Sequence, residues 1–129
     1  MASRTPDAGT QRVTRDVEPA ALRDLMEQPP RATVAFVDGE QVDAIPVRYR
    51  LSGEAHLIGV GGNMAVVLED REVVLVIDDG AYWFELRGIS VRGVASRIDP
   101  PGGDAAECAW YVIAPRRVLA WDYGTIRQA

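Results

Sequence analysis

The sequence predicts a mainly β fold: six antiparallel strands closed into a small barrel, with short helices at its openings. Three observations carry that expectation. The stretch Tyr82 to Ile98 is long for a strand, and its apolar parity changes partway along. Two tight-turn dipeptides, Asp38-Gly39 and Ser52-Gly53, join three apolar runs into a meander. The elements then follow in the order helix, three strands, short helix, two strands, short helix, one strand, with no internal repeat.

Taken in order, residues 1 to 15 are small, polar and charged, as in a flexible arm, and residues 16 to 129 form one domain. Asp16 precedes VEPAALRDLMEQ, where Leu22, Leu25 and Met26 share a helical face and Pro19 falls in the first turn. Pro29-Pro30 ends that helix. Arg31–Val37 reads as the first strand, Gln41–Leu51 as the second and Glu54–Val60 as the third. Ile45, Val47, Tyr49 and Leu51 line one face of the second. Gly61-Gly62-Asn63 breaks the pattern, and Met64–Asp70 has the composition for two helical turns. Glu72–Ile77 is apolar at nearly every position, which predicts a strand buried on both faces.

In the long stretch, Tyr82, Phe84 and Leu86 are apolar at even positions, whereas Ile89, Val91, Gly93 and Ala95 occupy odd ones. A strand cannot exchange its buried face without an extra residue, so a bulge or bend is expected at Arg87-Gly88. Gly93 would permit further coiling of the kind that closes a sheet into a barrel. Asp99–Gly103 is a loop, Asp104 is placed to cap a short helix over AAECAWYVI, and Arg116–Tyr123 is the last strand.

Composition narrows the function classes. All 14 basic residues are arginine, so a lysine base or Schiff base is excluded and any anion must be held by arginine, backbone N–H or a hydroxyl. A net charge of −5 argues against a nucleic-acid or anionic-membrane surface. No apolar run reaches the roughly 20 residues of a membrane span. The single cysteine, Cys108, and the single histidine, His56, provide neither a disulfide nor a Cys/His zinc site, which favours a reducing cytoplasm. No N-terminal apolar segment reads as a signal peptide.

Four pieces, in this order and spacing, resemble the FMN-binding split barrels related to pyridoxamine 5'-phosphate oxidase. They are ATVAFVDGEQVDAIPVRYR, HLIGVGGNMAVVLEDREVVLVID, ELRGISVRGVASRID and VIAPRRVLAWDYGTIR. The resemblance runs from about Asp16 to Arg127. It implies a homodimer holding FMN, or a deazaflavin such as the 8-hydroxy-5-deazaflavin coenzyme, in clefts between subunits. Val47, Arg48 and Tyr49 match positions that line the flavin ring, and Gly59, Val60, Gly61 and Asn63 match the turn at the ribityl phosphate. Asn63 departs from the pattern, because many members have a cation there. Charge-assisted bonds contribute about 1.5–3 kcal/mol against roughly 1 for neutral ones, so affinity falls on the order of tenfold per lost contact unless Arg48, Arg50 or Arg87 compensates.

Beside that implication, the residues keep plainer readings. Arg87 either reaches an anion from the bend or pairs with a carboxylate. Arg48 either binds an anion beside Tyr49 or faces solvent. Trp121 either touches a ligand or packs in a core or interface, as Trp83 and Trp110 also would. His56 has no partner carboxylate marked in sequence. Two functions follow: a flavin- or deazaflavin-dependent oxidoreductase acting on a small molecule, in which the cofactor carries the hydride, or a non-catalytic barrel that binds or stores a flavin or other small molecule, or no cofactor at all. A barrel that binds single-stranded nucleic acid would need a basic groove that the charge does not favour.

Overall fold

Seven antiparallel strands hydrogen-bond in the order β2-β1-β5-β6-β7-β4-β3 in a computed structural model that describes residues 17–64, 66–102 and 107–123. The strands are β1 (Ala32–Asp38), β2 (Gln41–Pro46), β3 (Arg48–Ser52), β4 (Ala55–Gly61), β5 (Glu72–Asp79), β6 (Arg87–Ile98) and β7 (Cys108–Asp122). The expected arm at 1–15, its neighbour Asp16 and the helix-capping Asp104 lie outside the described residues.

The two edge strands are consecutive in sequence. β2 pairs with β1 at one edge and β3 pairs with β4 at the other, yet a single residue, Val47, separates them. One residue can join both edges only if the sheet curls until they meet, so the seven strands close as a barrel. The expected second strand, Gln41–Leu51, is therefore present but interrupted. Pro46 lacks an N–H for the ladder, and the Val47 N–H turns back to the Ala32 carbonyl at 3.0 Å. Counted as one bent strand, β2 and β3 restore the six of the sequence reading.

Inside, Val34, Leu75, Ile77, Ile89, Val91 and Ile58 are fully buried. Leu22, Leu25 and Met26 close one mouth from a 3-10 turn (Pro19–Leu22) that runs into a short helix, α1 (Arg23–Glu27), as their shared face predicted. Both expected hairpins form, with Gly39 at φ +66° and Gly53 at φ +61°, a region that favours glycine.

Four expectations are corrected. The parity change near Arg87 comes from a 3-10 turn over Trp83–Glu85 rather than a bulge, so the strand starts at Arg87. The bulge lies further on: Arg92 pairs with Arg117 but Gly93 with Pro115, which leaves Arg116 of β7 as the extra residue. Met64–Asp70 is not helical. Met64, Val66 and Leu68 pack on the core, the Leu68 N–H bonds the Tyr111 hydroxyl at 3.2 Å, and residues 66–70 run as irregular chain that ends in a turn. From Cys108 onward the expected helix is the first half of β7. Ala109, Tyr111 and Ile113 face the main core, while Cys108, Trp110 and Val112 join a second cluster on the outer side.

β5 also differs in part from expectation. Val73, Leu75 and Ile77 are buried, but Val74 and Val76 on the outer side are only half-buried. No helix among the described residues is long and apolar enough to cross a membrane.

Candidate functional site

Strand alternation divides the residues that the resemblance implied. On β3 and β4, Arg48, Gly59 and Gly61 point outward, whereas Tyr49 and Val60 point into the barrel, where Val60 is fully buried. Val47, between β2 and β3, is half-buried against the same core. Val60 and Val47 thus belong to the scaffold beneath the outer face.

The outer face is built around an indole. Trp110 of β7 packs against Gly59, where a Cβ would come within 2.8 Å of its ring, so Gly59 makes room for a tryptophan of its own chain. The Arg50 guanidinium stands 6.0 Å from the Trp110 centroid and donates to the Pro101 carbonyl at 3.3 Å. Arg48 is the register partner of Gly59 and is exposed. Beyond Gly61 the chain turns tightly, with the Met64 N–H on the Gly61 carbonyl at 2.9 Å, and the exposed Asn63 folds its Oδ1 back over Gly61. Residues 59 to 64 contain no cation, so Arg48 and Arg50, across the hairpin, are the positive groups of this face.

Arg87 and Trp121 are elsewhere. Trp121 covers Gly88 at the far end of β7, thirteen residues from Cys108, which pairs with Gly61. That is about 40 Å of strand at the usual rise, so one chain does not bring Trp121 to the Gly61–Asn63 turn. Arg87 is engaged by carboxylates, the plainer of its two readings. Its Nε lies 3.0 Å from Asp79 Oδ1, and its Nη2 lies 3.0 Å from Asp79 Oδ2 and 2.9 Å from Asp24 Oδ2. These bonds hold the guanidinium above its ordinary pKa and, through Arg87, hold the Asp24 carboxyl below its own. The ion pairs tie α1 to β5 and β6.

One pair escaped the sequence reading. His56 is buried, and its Nδ1 lies 2.7 Å from the Tyr49 hydroxyl. Burial pushes the histidine below its usual range and the phenol above its own, so both are neutral near pH 7. Their signal was the Ser52-Gly53 hairpin itself: Leu51 pairs with His56 and Tyr49 with Ile58, which sets 49 and 56 on a diagonal of one face. Among the described residues no group of three or more His, Cys, Asp or Glu side chains could hold a metal.

No protein-family model matches the chain, and no curated protein matches it in sequence. Solved structures do. The FAD-binding protein from Mycobacterium smegmatis superimposes with a TM-score of 0.65 at 14% identity, over 84% of this chain and 96% of that one. A conserved hypothetical protein from Mycobacterium tuberculosis gives 0.69 at 19% identity, over 86% and 88%. A candidate pyridoxamine 5'-phosphate oxidase from Corynebacterium glutamicum gives 0.62 at 12% identity, over 84% and 92%. With the β2–β3 closure through Val47, these likenesses give the chain the split-barrel fold seen in flavin-binding and pyridoxamine 5'-phosphate oxidase-like structures.

Proposed function

We propose that the chain is a flavin-binding split barrel that works as a homodimer and serves as a small flavin- or deazaflavin-dependent oxidoreductase. The observation that carries this reading is the outer face of β3, β4 and β7. There a buried indole, two arginines and a glycine turn lie side by side on a fold that other proteins use to bind FAD. The bound ring would carry the hydride. This chain would supply position and charge: Arg48 toward the phosphate or the reduced ring, and the Gly61–Asn63 turn toward the phosphate end. A neutral Asn63 is compatible with a phosphate if Arg48 provides the charge-assisted bond.

The distance between Trp121 and that turn supports a second chain. A Trp121 that contacts cofactor would do so on the partner's face, which makes the dimer part of the site. The apolar patch of exposed Val42 and Val37 with half-buried Val74, on the outer side of β2, β1 and β5, suits such a contact, with Arg92 of β6 at its margin. The lone Cys108 suits a reducing cytoplasm.

Titration with FMN, FAD and the 8-hydroxy-5-deazaflavin coenzyme, followed by visible absorbance, tests the reading. One of the three binds, and Arg48→Ala weakens it about tenfold. A protein that binds none of them sinks the proposal. Asn63 keeps a second reading in play, a carrier or store without turnover. It predicts binding with no oxidation of NADH or NADPH, and a measurable rate would exclude it.

A further inference from the structure

Beneath α1 the mouth of the barrel holds a cavity of about 430 Å³ on the inner face, away from the outer-face residues of the proposed flavin site. That volume lies within the roughly 300–1,000 Å³ of small-molecule pockets. Its walls are mostly apolar: Pro19 and Ala20 from the 3-10 turn, Met26 from α1, Leu51 from β3, and Pro115 and Val118 flanking the β7 bulge. Three polar residues complete it. Arg23 and Glu54 sit at the exposed rim, 3.7 Å apart, and Arg23 also bonds Glu27, so the rim carries no net positive charge to offer.

The third is His56, which is 8% exposed and yet lines this cavity. Its Nδ1 is taken by the Tyr49 hydroxyl, and Tyr49 is not a wall of the cavity. Among the described residues Nε2 has no protein partner. A buried ring nitrogen without a partner is uncommon and calls for a water or a ligand. Water alone is a poor tenant, because an ordered water needs two to four polar partners and most of these walls offer none. An apolar body that displaces such water gains affinity, provided that it also meets the nitrogen. A charged body would lose its hydration against these walls without a free counter-charge.

We propose that this cavity binds a neutral small molecule with an apolar body of one or two rings and a single hydroxyl or carbonyl group, which hydrogen-bonds Nε2 of His56. The imidazole accepts a hydroxyl proton or donates to a carbonyl according to its tautomer, and the Tyr49 hydroxyl can complement either form. The site does not depend on a flavin.

The probe is 2-naphthol, titrated into the full chain and followed by methyl and amide NMR. Saturable shifts are expected at Met26, Leu51, His56 and Val118, unchanged when FMN is present. His56→Phe keeps the ring volume and removes the nitrogen, and should weaken 2-naphthol about tenfold. Ala20→Trp, on the exposed turn at the rim, fills the cavity and should abolish saturation. Shifts confined to the Trp110 face, no saturation up to the solubility limit, or equal affinity in His56→Phe and wild type would each overturn the proposal. If His56→Phe does not fold, unchanged affinity in Ala20→Trp overturns it equally.

Discussion

His56 is the buried polar side chain of the described core, and its partner is a phenol rather than a carboxylate. A neutral imidazole held below the ordinary 6.5 resists protonation when folded, whereas the unfolded chain takes up a proton at 6.5. The unfolded state therefore binds more protons just below that pH. Stability contributed by this residue is complete above about pH 6.5 and is lost as pH falls toward the folded value, with a slope of at most about 1.4 kcal/mol per pH unit. Urea unfolding at several pH values should show this decline in wild type and a flatter profile in His56→Phe. Asp24 acts in a different window, because its lowered carboxyl loses its contribution only as pH falls through the carboxylate range. At this scale the sequence was most opaque. Arg87 was legible as either an anion ligand or an ion-pair partner, and only the fold sets Asp24, 63 positions away in the chain, beside it. Asn63 and Arg48 were legible as residue types, but which face each occupies depended on a register that period-2 alternation defines only after the hairpin is placed.

At the scale of elements, glycine positions explain where tryptophans and carbonyls come close. A Cβ at Gly93 would overlap the Ala114 carbonyl oxygen, which belongs to backbone beside the Arg116 bulge and cannot swing aside. A Cβ at Gly59 would instead meet the edge of the Trp110 side chain at 2.8 Å. Gly93→Ala should therefore cost more than about 3 kcal/mol and Gly59→Ala less, in a range of about 1–3 kcal/mol. Thermal or urea unfolding of both variants checks the order, and equal losses would contradict it. Turns were readable from their dipeptides, and so was the helical face of Leu22, Leu25 and Met26. The two mistaken helices share one cause. β7 is apolar on both sides between Cys108 and Ile113, and Met64–Leu68 is apolar at nearly every position, so neither stretch shows a period that separates strand from helix.

For the molecule as a whole, an apolar patch on the outer side is the feature that a lone barrel does not explain. Val42 is 75% exposed and Val37 57%, in register on β2 and β1, with half-buried Val74 of β5 beside them. If a twin covers this side, sedimentation at micromolar concentration gives the mass of a dimer. Val42→Asp then gives a monomer with unchanged circular dichroism, because its register partner is Val37 and a carboxylate desolvated against that valine at an interface is costly. Monomeric wild type would count against both the interface and a Trp121 acting across it. Barrel closure itself was legible in outline, since a parity change and a bulge were expected in the longest ribbon. Their places were not, because a 3-10 turn and a bulge have the same effect on a pattern of apolar positions.

The strand order has a consequence for how this chain comes into being. β7 sits between β6 and β4, so the third and fifth strands of the bent barrel are bridged by the sixth. During synthesis the N-terminal hairpins emerge first but have only half their neighbours. The ring of hydrogen bonds closes only after β7 has emerged from the ribosome, so the open edges of the earlier strands need shielding until then.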